Sequence, residues 1–294
     1  MTKTQNMPRS VCFLTVIGIA LCSFASGQAC TPLFGIDQVW SNVNIHWLLV
    51  GELHGSNETP EIFFDVICNA RKKGKRVVVA LERATSEQDS LTDMLVAGNL
   101  AEARSKLLNQ PGWTSGMDGR ASKAMLQLLL SLRDLNRGYS GISIAAFEAP
   151  YFDGVPGARD KSLGDALLQI GKNNPESLIL VLIGNAHATS VPLFGYKTAA
   201  MYLPADQRLA LEVTDRNGES WATIGGACGA HKGGVGDKGI AKPRGIFLDP
   251  NLAPFGKVGG IVSLGVPLTA SVPAAEIPSP PPPCRVNFLM MPEK

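Results

Sequence analysis

Five short runs of the chain, 47–50, 77–81, 142–147, 178–183 and 209–213, are almost wholly apolar and rich in Val, Ile, Leu and Ala, without polar alternation. Runs of this length and composition read as strands buried on both faces. Between them lie segments 60–72, 87–96, 119–137 and 160–172, in which apolar residues recur at the three-to-four spacing of an amphipathic helix. In the third, Met125, Leu128, Leu129, Leu132 and Leu135 line one side, and Gly138 follows as the stop. Strand, helix, strand repetition requires right-handed crossovers. The expected fold is therefore α/β, a mostly parallel sheet with helices on both faces, over residues 28–224. Past 225 the pattern is lost. Glycines crowd 225–265, and Pro278 with prolines 280–283 forms a stretch that neither a helix nor a central strand accommodates. Residues 225–294 are expected to be an irregular Gly/Pro-rich C-terminal extension lying on the main domain, with one strand at 286–290.

Composition agrees with one ordinary domain: 294 residues, 45% hydrophobic and 18% charged. The first 27 residues carry Lys3 and Arg9, no acid, an apolar run at 11–24 and the small residues Ala25-Ser26-Gly27. That is the layout of a secretory signal peptide, and its apolar run is well short of the about 20 residues that a spanning helix needs. The sequence thus predicts an exported protein, periplasmic or secreted, with no transmembrane helix in the mature chain. Removal of 1–27 takes two of the 27 basic residues and leaves 25 against 25 acids, a neutral body. Such a body lacks the basic footprint that nucleic acid requires, so the expected partner is a small-molecule or peptide substrate. Four cysteines remain, Cys30, Cys68, Cys228 and Cys284, an even number that suits an oxidising compartment. Of the three possible pairings, Cys30–Cys68 with Cys228–Cys284 closes two contiguous regions.

The chemistry is expected at the strand ends. In a parallel sheet, ligands bind in the crevice outside the carboxyl ends of the strands. There the sequence places Gly51-Glu52-Leu53-His54, then Glu82, Glu148, Gly184-Asn185-Ala186-His187 and Glu212. An acid often follows a strand simply because the chain returns to water. Histidine is scarcer, and two of the four occur at strand ends in the frame Gly-x-x-His. The glycine three residues earlier is expected to let the backbone leave the sheet sharply. His46 precedes its strand and His231 lies in a glycine-rich loop, so both are set aside. Glu58 sits one turn beyond His54, at the start of the next helix. Asp118 reads as a helix N-cap, and Arg120 as a clamp for a substrate carboxylate. Asn185 and Glu148 complete the expected substrate contacts.

Other signals fail. Gly234-Val235-Gly236-Asp237-Lys238-Gly239 matches the dinucleotide pattern, but no strand precedes it and Pro243 breaks the helix that should follow. Asn57-Glu58-Thr59 fits the glycosylation pattern, yet it lies in the expected crevice. No HExxH, P-loop, CxxC or GxSxG occurs.

Two chemistries suit two imidazoles and several carboxylates. In one, His54, His187 and a carboxylate such as Glu52 hold a divalent metal, zinc or manganese, whose bound water is activated while Glu58 or Glu82 serves as base. In the other no metal is present, and Glu52 or Glu58 raises the basicity of His54, which activates water directly for ester or amide hydrolysis. Ser56 and Ser190 are the available serine nucleophiles. The paired Gly-x-x-His motifs, with Glu82 and Glu148 at the intervening strand ends, resemble the superfamily that joins the Tiki and TraB metalloproteases, the erythromycin esterases and the ChaN haem-binding lipoproteins. The resemblance runs over 45 to about 215. It implies an α/β fold with Glu52, His54, Glu82 and His187 in the crevice, and either an exported hydrolase or a binding protein for haem or another small ligand. The Glu-Leu-His-Gly start with Glu58 four residues on is nearest the esterase and ChaN branches.

Overall fold

The computed structural model describes residues 30–275, except 115–118, 151–153, 194, 215–217, 225–226, 233–241 and 254–257. In chain order the elements are α1 (Ile36–Ser41), β1 (Trp47–Glu52), α2 (Glu58–Lys72), β2 (Val77–Ala84), α3 (Gln88–Val96), α4 (Leu100–Leu108), α5 (Pro111–Thr114), α6 (Lys123–Tyr139), β3 (Ile142–Glu148), α7 (Ala158–Asn173), β4 (Leu178–Gly184), α8 (Asn185–Ala188), β5 (Arg208–Val213), β6 (Glu219–Ile224), β7 (Ala227–Lys232), β8 (Gly245–Phe247) and β9 (Ile261–Ser263). Seven strands form one sheet in the order β3-β2-β4-β1-β5-β9-β8. All neighbours are parallel except β8, which runs antiparallel to β9. β6 and β7 make a separate antiparallel hairpin.

The sequence pattern follows from this order. β1 and β4 are central and buried along their whole length, which explains their unbroken apolar runs. β3, at one edge, alternates between buried and exposed near its start. Each face of the sheet carries its own core. On one, Phe63 and Ile67 of α2 and Leu129 and Leu132 of α6 cover Leu48, Val50 and Val79. On the other, Leu163 and Leu167 of α7 cover Leu49, Val181 and Ile183. Each such fully buried side chain contributes roughly 1.5–3 kcal/mol relative to exposure, so the two layers fix the sheet edge on which the site is built.

Two expectations change. The third helix begins at Lys123, not 119, because the Ser122 hydroxyl accepts from the Met125 N–H and caps it, while 119–121 form a single 3-10 turn. Asp118 lies outside the described residues, as do the signal segment 1–27, the dinucleotide-like glycine run 234–239 and the strand expected at 286–290. The region beyond 225 is more ordered than its composition suggests. β9 extends the sheet beyond β5, through Glu212 opposite Ile261 and Val213 opposite Val262, and β8 closes the edge. Three-residue strands between glycines are too short to show a period.

A strap, residues 268–274, then returns over the N-terminal ends of α2 and α6. Asn57 N–H donates to the Thr269 carbonyl (2.9 Å), Ser271 N–H to Gly55 (2.7 Å), Lys123 N–H to Val272 (2.9 Å) and Ala274 N–H to Ala121 (2.8 Å). Cys30 is disulfide-bonded to Cys68 of α2 as expected, with Cα atoms 5.7 Å apart. The second expected pairing involves Cys284, outside the described residues. Among the described residues no helix is long and apolar enough to cross a membrane.

Candidate active site

The carboxyl ends of β3, β2, β4 and β1 lie side by side, and each delivers one or two polar side chains to the same edge. Glu52 is the last residue of β1 and is buried. Two residues on, the His54 Nδ1–H donates to its Oε1 (2.9 Å). On β2, the register against β3 shifts between Leu81 and Ala84, and Glu82 sits within that irregularity. Such a break re-aims a side chain at a strand end. Glu82 Oε2 accepts from the Gly184 N–H at the end of β4 (2.8 Å) and lies 3.6 Å from His54 Nε2. Gly184 is the meeting point. A Cβ there would stand 3.2 Å from His54 Nε2, 3.5 Å from His187 Cδ2 and 3.7 Å from Glu82 Oε2. The two imidazoles, distant in sequence, therefore converge on one spot.

His187, on α8, has both ring nitrogens engaged. Nδ1 is 2.7 Å from Asp160 Oδ1, and Nε2 is 2.7 Å from Arg159 Nη1. Arg159 also donates through Nη2 to Glu82 Oε1 (2.5 Å) and Glu148 Oε1 (2.8 Å). Arg120 donates to Glu148 Oε2 (2.5 Å) and lies 3.6 Å from Glu82 Oε1. The result is one connected network of carboxylates, guanidiniums and imidazoles. The His54 and Arg159 side chains, 26% and 29% exposed, open the network to solvent, while the Glu82 side chain behind them is only 2% exposed.

Neighbouring charges outweigh burial here. Desolvation alone would lower the His54 pKa, but the Glu82 carboxylate, with the hydrogen bond and charge of Glu52, outweighs it and pushes the imidazole up to about 10. Burial alone would likewise raise Glu82. The His54 imidazolium and Arg159 hold it well below the ordinary carboxylate range. Burial opposes the charge on Arg159 too, and Glu82 and Glu148 more than compensate, so the guanidinium stays protonated.

Of the residues singled out in the sequence, Glu52, His54, Glu82, Arg120, Glu148 and His187 come together. Glu58 does not join them. Its carboxylate accepts from the Thr269 N–H (2.8 Å) and hydroxyl (2.5 Å), so it anchors the strap. Arg120 is bound to Glu148, not held free for a substrate carboxylate. Asn185 packs against Gly51, where a Cβ would come within 2.9 Å of its Oδ1. Ser56 is fully buried and its hydroxyl donates to Thr59 (2.8 Å), which removes it as a poised nucleophile. Asn57 spends its amide on Thr269 and Ala270, so a glycan there would displace the strap. Gly51 and Gly184 also act differently from expectation. Neither has a positive φ; both lie within strands and are needed for close approach. The turn is made at Gly55, with φ +83°.

Three contributors escaped the sequence reading. Arg159 and Asp160 come from the first turn of α7, and a cation at a helix N-terminus, where the dipole disfavours it, was the available signal. Buried Arg83 lies over the Trp113 ring, pairs with Glu87 and donates to the Arg120 carbonyl (2.8 Å), which fixes the Arg120 backbone.

The anchoring role of Glu58 carries a direct test. Glu58→Gln should leave any activity of the site within about twofold and lower stability by about 1 kcal/mol in chemical denaturation, the worth of a weakened hydrogen bond. A hundredfold loss of activity would return Glu58 to the reacting set.

A divalent metal does not fit this arrangement. The space between Glu82, Glu148 and His187 is filled by the Arg159 guanidinium, which would repel a cation, and His187 Nε2 is already an acceptor. Among the described residues no group of three or more His, Cys, Asp or Glu side chains is arranged to hold a metal ion. For haem, the His187 Nε2 lone pair is engaged by Arg159, so of the two imidazoles only His54 is placed to reach an iron. Cavities exist elsewhere, one of about 390 Å³ between α2 and α6 and one of about 660 Å³ at the amino ends of the strands beside His46.

No family model and no curated protein matches the chain. Solved structures do. An erythromycin esterase mutant in its open conformation superposes with a TM-score of 0.59 at 8% identity, over 78% of this chain and 91% of that one. A protein from Bacillus cereus superposes with a TM-score of 0.55 at 11% identity, over 84% and 96%. A chain described as bacterial protein toxins matches at 19% identity with a TM-score of 0.45, and this chain, with 64% of its own length aligned, spans only 37% of that one. The chain has the α/β fold of erythromycin esterase, the fold that its paired Gly-x-x-His motifs implied.

Proposed function

We propose that this chain is an exported hydrolase of ester or amide bonds that works without a metal. The observation that carries the reading is the Glu52–His54 pair, a solvent-reachable imidazole oriented through Nδ1 by a buried carboxylate, at the edge where a parallel sheet binds its ligands. A carboxylate behind Nδ1 fixes the ring and its tautomer, so that Nε2 can pass a proton to or from a reacting group. Water is the nucleophile in this reading, since the Ser56 hydroxyl next to the His54 turn is buried and committed to Thr59. Arg159 and Arg120 supply fixed positive charge where the carbonyl oxygen of an acyl substrate would become negative. The signal-like residues 1–27 and the Cys30–Cys68 disulfide support export.

The test is hydrolysis of a panel of chromogenic esters, lactones and peptide anilides. The wild-type protein should turn over at least one of them, EDTA should leave the rate unchanged, and His54→Gln should lower it by about 10²- to 10⁴-fold. If no substrate is turned over and added haemin gives a stoichiometric Soret band that is lost in His54→Gln, the protein is a haem carrier and the hydrolase reading is wrong.

A further inference from the structure

Arg159 touches His187, Glu82 and Glu148 together. It comes from a helix N-terminus, where a cation is electrostatically disfavoured, and it is 29% exposed, so neither packing nor the helix dipole explains its placement. The chemistry of the contact with His187 is decisive. A guanidinium carries only donors, so His187 Nε2 must accept from Arg159 Nη1. The ring proton is then on Nδ1 and is donated to Asp160, whose Oδ1 is held in turn by the Ala199 N–H (2.9 Å). His54 is the opposite case, since its Nδ1 proton goes to Glu52 while Nε2 lies 3.6 Å from the Glu82 carboxylate, too far for a hydrogen bond but where that charge favours a protonated nitrogen. Two imidazoles beside Gly184 thus present opposite faces, one Nε2 with a proton and one with a lone pair.

We propose that Arg159 is a positioning residue that fixes His187 with Nε2 unprotonated, dividing the proton-transfer work so that His187 accepts from the attacking water and His54 donates to the leaving group. The hydrolytic part of this rests on the function proposed above; the hold on His187 does not. In the reaction, the attacking water takes the place of Arg159 Nη1 at His187 Nε2, while Nη2 keeps its hold on Glu82 and Glu148. The water proton passes to His187 Nε2, the water oxygen bonds to the acyl carbon, and the carbonyl electron pair moves to the oxygen facing Arg159. When that pair returns, the bond to the leaving group breaks and its oxygen or nitrogen takes the His54 Nε2 proton. Solvent then carries the extra proton from His187 back to His54, and water has been added across one bond with no oxidant or metal consumed.

The experiment is ¹⁵N imidazole NMR on the full-length protein at neutral pH, with assignment by His187→Gln, in the wild type, Arg159→Lys and Arg159→Met. Lysine keeps one charge but cannot span three acceptors, and it guards against a methionine variant that fails to fold with its carboxylates unpaired. The wild type should show a non-protonated His187 Nε2, both variants should shift toward protonation there, and in Arg159→Lys turnover of any ester hydrolysed should fall by about 10²-fold with little change in KM. A protonated Nε2 in the wild type, or an unchanged signal in Arg159→Lys and in any folded Arg159→Met, would overturn the assignment. A non-protonated wild-type Nε2 that responds to Arg159, in a protein that hydrolyses nothing, would sink the hydrolase reading alone and leave the hold of Arg159 on His187 established.

Discussion

Glu82→Gln is expected to move the pKa of His54 from about 10 down toward the ordinary 6.5, a change of several units readable by NMR titration of the ring protons. The glutamine keeps an oxygen for the Gly184 N–H and nearly the same volume, so the loss is of charge and not of shape. What remains is burial, which disfavours the imidazolium, opposed now only by Glu52. Stability should follow with a definite sign. A folded-state pKa raised above the unfolded one contributes stability fully present below pH 6.5 and lost as pH rises through about 10, at a limiting slope of about 1.4 kcal/mol per pH unit. Glu82, with a lowered folded pKa, contributes stability that is present above its ordinary 4.5 and lost as pH falls below it. The wild-type pair therefore stabilises most between these two values. Denaturation midpoints across pH should show a long alkaline decline from about pH 6.5 in the wild type, which in Glu82→Gln starts at the same pH but ends much nearer neutrality. Hydrolysis near pH 7 should also fall, because His54 would lose the proton it is meant to donate. A His54 titration that ignores the substitution would remove the electrostatic account of the site.

How much of this was legible in the sequence depends on the range of each signal. The five parallel strands were plain because a strand buried on both faces must be apolar throughout, and 47–50 and 178–183 are. The meeting of Glu52, His54, Glu82, Glu148 and His187 at one sheet edge was legible because position at a strand end follows directly from strand assignment. Glu58 was misplaced for the same reason: nearness to His54 along the chain suggested nearness in the site, but its partner Thr269 is 211 residues away. Arg159 and Asp160 were missed because they reach the edge from the helix that follows β3, and nothing local marks the direction in which such side chains point. β8 and β9 were missed because glycines dominate the composition around three-residue strands, and only pairing, of β9 with β5 and of β8 with β9, makes them strands.

Gly55→Ala should be a severely damaging small substitution near the site, and it tests whether the C-terminal region is passive. Residue 55 follows His54 with φ +83°, where an L side chain costs about 1–2 kcal/mol. A Cβ there would lie 2.1 Å from the Trp221 carbonyl oxygen and 2.9 Å from the Gly119 Cα, both backbone atoms that cannot rotate away. The Gly55 carbonyl also receives the N–H groups of Trp221 (2.8 Å) and Ser271 (2.7 Å), so hairpin and strap grip the loop at one atom. Strain and overlap together should cost about 3–5 kcal/mol, at the upper end for a single substitution, and lower Tm by about 10 °C. Gly74→Ala is the matched control: φ there is +75°, yet nothing stands within 4 Å of the added carbon, so it should show the strain alone. Hydrolysis should separate the two further, because only the change at 55 displaces the turn that carries His54. Equal losses of Tm in both variants, with hydrolysis intact in both, would mean that β6 and the strap merely cover the loop; a larger loss at 55 accompanied by failed turnover would mean that they set the position of the imidazole.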